Sequence, residues 1–204
     1  MVARNALRRI VAVFIIVTSA SYPAFATPVY IYGGDFNLPI PKALTSSKGW
    51  MADAVIAVND HHIISDIDVS VSLAHTNVFD LQIFLKSPAG TTLCLNMYNF
   101  DEFFIGENYI QTIFDDEALL PIEQAQSPFT GRFRPKAGNP LEVFDGQDIY
   151  GLWRLRIYDA FEMDRGSLQS FKLMINNPEP STVTLLMLGS VLISFVYRSE
   201  QQLR

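Results

Sequence analysis

Between Ile64 and His75 the residues Ile67, Val69, Val71 and Leu73 alternate strictly with Asp66, Asp68, Ser70 and Ser72. A period of two cannot be a helix face, so this run is a strand with one face on a core and the other toward water. Leu81-Gln82-Ile83-Phe84-Leu85 follows after a polar turn at Thr76 and Asn77, and stops at Ser87-Pro88-Ala89-Gly90. With Thr91 to Asn96 it completes, by pattern, a three-strand meander. Farther on, Trp153, Leu155 and Ile157 alternate with Arg154, Arg156 and Tyr158; a carboxylate-rich turn then leads to Leu168, Phe171, Leu173 and Ile175. No amphipathic helix of three turns lies between these strands, and Glu117 to Ala125 has room for one short turn. Half of the 204 residues are apolar, enough for a single core. Short strands punctuated by Gly and Pro predict an all-β fold, an antiparallel jelly-roll β-sandwich.

Both ends read as addresses. Arg4, Arg8 and Arg9 precede the apolar run Ile10 to Val17, and Ala24-Phe25-Ala26 supplies the small-x-small pattern that signal peptidase cuts, here after Ala26. At the other end, Pro178-Glu179-Pro180 leads into the uncharged run Val183 to Tyr197 and a tail carrying Arg198 and Arg204. This end resembles the bacterial PEP-CTERM sorting signal, in which a Pro-Glu-Pro motif, a hydrophobic helix and a basic tail are processed by an exosortase-type peptidase. Glu200 and two Gln dilute the tail. The alternative is a plain C-terminal membrane anchor, for which fifteen apolar residues are short. The expected organisation is a signal peptide over 1–26, a β-sandwich over 27–177 with its core at about 37–176, and a sorting or anchoring segment over 178–204. An exported protein of the cell envelope, outer surface or extracellular matrix follows, inserted transiently in the membrane by its C-terminal segment.

Charge narrows the partners. From Thr27 to Pro180 there are ten Lys and Arg against twenty Asp and Glu, which disfavours nucleic acid and anionic membrane and is compatible with cations. A lone cysteine, Cys94, excludes an internal disulfide and a Cys-rich zinc site; its apolar neighbours suit a small buried side chain.

Several motifs then fall into one order: Leu38-Pro39-Ile40-Pro41, His75-Thr76, Asp80-Leu81-Gln82-Ile83, Leu85-Lys86-Ser87-Pro88-Ala89-Gly90-Thr91, Phe114-Asp115-Asp116-Glu117-Ala118, Pro128-Phe129-Thr130-Gly131, Pro135, Leu141, Phe144-Asp145-Gly146, Gly151-Leu152-Trp153-Arg154-Leu155, Asp159, Asp164 and Gly166-Ser167-Leu168. Over roughly Asn37 to Ile175 the chain resembles the P domain, or Homo B domain, that follows the catalytic domain in subtilisin-like proprotein convertases. It departs at Lys42 and Leu152. The resemblance implies a galactose-binding-like sandwich and a role in stabilising a catalytic neighbour, with calcium bound in loops by some relatives.

Catalysis needs a nucleophile beside a base. His61, His62 and His75 are the imidazoles on offer, none beside a nucleophile motif, and the Gly-Thr-Ser and His-Gly settings of subtilisin-like proteases are missing. His75 reads as a strand-end residue bonding the next turn; His61 and His62, adjacent on a strand, point apart and cannot share a metal. Calcium, which takes six to eight oxygens from irregular turns, suits Asp80, the Asp115-Asp116-Glu117 cluster, and Asp159 with Asp164. Asp159 and Asp164 read equally as turn formers capping N–H groups. Trp153, Phe133, Phe144 and Phe171 read as core. Phe100, Phe103 and Phe104, set among acids and glycine, form a candidate contact loop. The expected function is a non-catalytic binding or structural module for an envelope protein or polysaccharide, the alternatives being an accessory domain in a subtilisin-like endopeptidase system or an exopolysaccharide-binding module.

Overall fold

The alternating run folds as the strand that the pattern predicts, at the centre of one of two packed sheets. A computed structural model of the protein describes residues 29–45, 47–97 and 105–176. The strands are β1 (Val29–Ile40), β2 (Gly49–Trp50), β3 (Ala54–Val58), β4 (Ile67–His75), β5 (Leu81–Lys86), β6 (Thr92–Asn96), β7 (Tyr109–Phe114), β8 (Phe129–Phe133), β9 (Gly151–Asp159) and β10 (Gly166–Asn176). Short 3-10 turns occupy Val78–Asp80, Ile122–Gln124 and Leu141–Phe144. One sheet runs β1-β10-β4-β7-β8; the other runs β2-β9-β5-β6, with β3 also on β9. All pairs are antiparallel except β7 with β8, which is parallel. Among the described residues no helix is long and apolar enough to cross a membrane. The proposed signal and sorting segments, with Ala24, Ala26, Pro178, Glu179 and Pro180, lie outside the described residues, as do Phe100, Phe103 and Phe104.

The inner faces make one core. Ile67, Val69, Val71 and Leu73 of β4, Leu168, Phe171, Leu173 and Ile175 of β10, Trp153, Leu155 and Ile157 of β9, and Leu81, Ile83 and Leu85 of β5 are all buried in it. Leu168 and Phe171 are three apart, which a plain strand would send to opposite faces. The register shift against β4 between Leu168 and Ser170 inserts the extra residue that brings both inward. Trp153 packs edge-on against Phe144, ring centroids 5.3 Å apart, and its indole N–H donates to the Ile149 carbonyl at 2.8 Å.

Two expectations are corrected. The three-strand meander does not form, because β4 and β5 lie in different sheets: the turn at Val78–Asp80 carries the chain across the sandwich, and β5 pairs with β6 and β9. Alternation assigns faces but is blind to partners. Nor is the outer face of β4 wholly in water, for Asp68 is buried beneath Arg132 of β8.

On the outer face of the second sheet Trp50 rests on Tyr158, centroids 4.6 Å apart, and the Arg156 guanidinium carbon lies 4.7 Å from the indole centroid. Tyr158 in turn accepts from Lys48 at 2.8 Å and donates to Gln82. Trp50 is still half-exposed, so Trp50→Ala is expected to cost about 1 kcal/mol in urea denaturation, the aromatic and cation–π share of a rim cluster.

Candidate functional site

Among the described residues the buried carboxylates and His75 gather at the two ends of β4. Asp68 and His75 are seven residues apart on that strand, roughly 23 Å at 3.3 Å per residue. The carboxylates expected to bind calcium are thereby divided: Asp115 and Asp116 fall at one pole, Asp80, Asp159 and Asp164 at the other.

At the first pole, the pairing of Val69 with Phe114 sets Asp68 beside Asp115 at the end of β7. Arg132 on β8 bridges them, donating Nε–H to Asp115 Oδ2 at 2.5 Å and Nη2–H to Asp68 Oδ2. Asp68 Oδ1 is buried with no hydrogen-bond partner. Asp66 accepts from the Asn176 side chain, and its carbonyl from the Asn176 N–H at 3.1 Å. Asp115 Oδ1 accepts from the Glu117 N–H at 2.8 Å, and Asp116 Oδ2 from the Glu142 N–H at 2.9 Å. Burial pushes the Asp68 carboxyl up to about 6 against the pull of Arg132, with the charges of Asp115 and Asp66 adding to the rise. Burial also acts upward on Asp115, but the Arg132 and Glu117 hydrogen bonds outweigh it and hold that carboxyl below its ordinary value. Glu117 is raised, first by its hydrogen bond with Asp115, then by burial and the charge of Asp66. Asp145 is raised by burial, then by Asp66, Glu142 and Asp116. One oxygen each from Asp66, Asp68 and Glu117 lie within 4.8 Å of one another, and these are the three acidic residues so grouped among the described residues.

At the second pole, His75 bonds the turn that follows it, as expected: Nδ1 lies 2.8 Å from the Asn77 carbonyl. Nε2 faces Asp159 Oδ2 at 3.3 Å, both side chains fully enclosed. Asp159 Oδ1 accepts from the Phe161 N–H at 2.8 Å, the turn-forming contact that the sequence leaves open for it beside a calcium role. Asp80 accepts from Asn77 Nδ2 at 2.9 Å and shares a hydrogen bond with Asp164, which also accepts from Thr76 Oγ1 at 2.6 Å. Burial pushes the Asp80 carboxyl up to about 7, helped by the Asp164 bond and the charges of Asp159 and Asp164, with His75 opposing.

His61 is exposed and bonds Asp148 at 2.7 Å, while His62 stacks on Tyr30, so the two do not share a ligand. Cys94 is half-buried rather than fully so, its sulfur 3.3 Å from the Asn96 carbonyl. Sequence reading did not pick out Asp66, Asp68 and Arg132 as site residues. The signal was present for two of them, since Asp66 and Asp68 at i and i+2 of an extended chain share a face.

The chain matches the proprotein convertase P-domain family over residues 64–175, just over half of its length. No match emerges among curated proteins. Among solved structures, the serine protease of Aeromonas sobria in complex with its chaperone is similar at 19% identity and a TM-score of 0.46, over 74% of this chain and 27% of the other. The same protease alone gives 20% identity and a TM-score of 0.42, over 72% and 27%. The chain thus spans little more than a quarter of the protease chains it resembles. The sequence match and the two-sheet sandwich agree, and the chain belongs to the proprotein convertase P-domain family.

Proposed function

We propose that this P domain is a non-catalytic module, exported by its N-terminal signal and processed or anchored at Pro178-Glu179-Pro180, that binds and stabilises a protein partner. A separately encoded subtilisin-like protease is the first class to test. The observation that carries the non-catalytic reading is the state of His75. A triad histidine turns one nitrogen to its carboxylate and leaves the other for the nucleophile. Here one nitrogen faces Asp159, the other faces the Asn77 carbonyl, and the ring has no exposed surface. No substrate can reach this pair without unfolding the turn.

A protein partner is favoured over a polysaccharide by the placement of the aromatic rings. Sugar binding needs an open aromatic face. Among the described residues Trp153, Phe144 and Phe171 are fully buried, Phe133 packs on the core, the half-exposed Trp50 is flanked by Tyr158 and Arg156, and the half-exposed Tyr150 is stacked by His61. The test has two parts. The purified full chain is expected to leave casein intact and unlabelled by a serine-directed fluorophosphonate. Added to a subtilisin-like catalytic domain lacking its own P domain, it is expected to lengthen that enzyme's half-life at elevated temperature. Casein hydrolysis by the chain alone would sink the non-catalytic reading, and an unchanged half-life would sink the protease as partner.

A further inference from the structure

We propose that Asp66, Asp68 and Glu117 form a binding site for a calcium ion, closing the first pole of the sandwich. Two oxygens each about 2.4 Å from a common calcium ion can be no more than about 4.8 Å apart. The three oxygens of Asp66, Asp68 and Glu117 meet that limit in every pairing. Carboxylates gathered this closely repel one another unless a cation or a proton lies among them.

The second observation is the orphaned oxygen of Asp68. Arg132 occupies Oδ2, whereas Oδ1 is shut away from solvent with no donor. Buried carboxylate oxygens are hydrogen-bonded or hold a metal, because an unsolvated lone pair is costly. Arg132 does not complete the neutralisation, since it is shared with Asp115, and Asp145 adds further negative charge near Asp66. The surroundings also fix the ligands in place. Asn176 orients Asp66 through its side-chain amide, and the Glu117 N–H bond to Asp115 closes the turn that presents the Glu117 side chain. Donors from a strand end and a turn, all carboxylate, make an irregular oxygen set, which suits calcium better than the strict octahedron of magnesium. The other pole also buries a carboxylate oxygen without a hydrogen-bond donor, Asp159 Oδ2, but that oxygen faces His75 Nε2 at 3.3 Å, and among the described residues no three carboxylates there approach as closely as Asp66, Asp68 and Glu117 do. Asp115 and Asp116 support the proposed site from outside it.

The inference goes beyond the accessory role and does not rest on it. The full chain, stripped with chelator, is titrated with calcium chloride in a calorimeter and melted with and without the ion. One saturable site is expected, with a melting temperature about 5–10 °C higher at a hundredfold excess over Kd. Glu117→Gln, a change at an exposed side chain that the fold tolerates, is expected to weaken affinity at least tenfold, as is Asp66→Asn. Asp164→Asn, at the opposite pole, is expected to leave it unchanged. Absence of binding heat, or full affinity in both Glu117→Gln and Asp66→Asn, overturns the site. Loss of binding in Asp164→Asn with retention in Glu117→Gln overturns it too.

Discussion

Arg132→Met is expected to destabilise the domain by about 2–3 kcal/mol at pH 8 in the presence of chelator. Methionine keeps much of the aliphatic stem, so the change isolates the guanidinium. Its loss leaves two carboxylates, Asp68 and Asp115, buried without their shared cation. Removing one partner of a fully buried pair costs about 3–5 kcal/mol, and the half-exposure of Arg132 itself lowers the figure through solvent screening. The pH dependence distinguishes this from lost packing. Asp68 already titrates near 6 with Arg132 present, so below that pH it carries a proton and has less need of the cation. Asp115 is held low by Arg132, so its share of the stability is present above the ordinary carboxylate pKa and disappears only as pH falls through its depressed native value. The penalty should therefore shrink between pH 8 and pH 5 and shrink again below about 4. Urea midpoints at three pH values, with an unchanged m-value, check it. A penalty that stays constant with pH would mean that Arg132 acts through its stem.

This arrangement also marks how far the sequence could be read. Strand positions were legible because Ile67 to Leu73 and Trp153 to Ile157 alternate, and alternation is a local property. What alternation cannot carry is which strand lies alongside. That is why β4 and β5 looked like neighbours in a meander, although the turn at Val78–Asp80 sends β5 to the opposite sheet. Likewise the outer face of β4 was assigned to water. The guanidinium that covers Asp68 comes from a residue 64 positions away, on a strand that reaches β4 only through β7. The turn-bonding role of His75, and the same role for Asp159 where the sequence leaves it open beside a calcium role, are legible because their partners, Asn77 and Phe161, sit two residues on. The long-range half of each contact, His75 to Asp159 and Asp80 to Asp164, has no local signature.

At the far pole, the wild-type domain is expected to lose stability as pH rises, the reverse of ordinary acid denaturation. Asp80 titrates at about 7 in the folded chain and near 3.9 when unfolded. Between these values the native state binds a proton that the unfolded state has released. The sign follows from linkage: this contribution is complete below about pH 4, declines as pH climbs to about 7, and is gone above. Three units correspond to about 4 kcal/mol, an upper figure because Asp164 shares the hydrogen bond, so about 2–4 kcal/mol is expected. Asp68 contributes in the same direction, but its window closes near pH 6, which leaves the interval from 6 to 7 to Asp80. Asp80→Asn tests the assignment. Its amide oxygen can still accept from Asn77 and its NH2 can donate to Asp164, while the charge facing Asp159 and Asp164 is removed. The variant should be about 2 kcal/mol more stable than wild type at pH 8 and no more stable at pH 4, by urea denaturation at fixed ionic strength. Wild-type stability that rises from pH 6 to 7 would mean that Asp80 is ionised there. Because the two poles are separated by most of β4, their effects should add. The Asp80→Asn gain is therefore expected to be the same in calcium as in chelator, whereas calcium should reduce the proton uptake that belongs to Asp68.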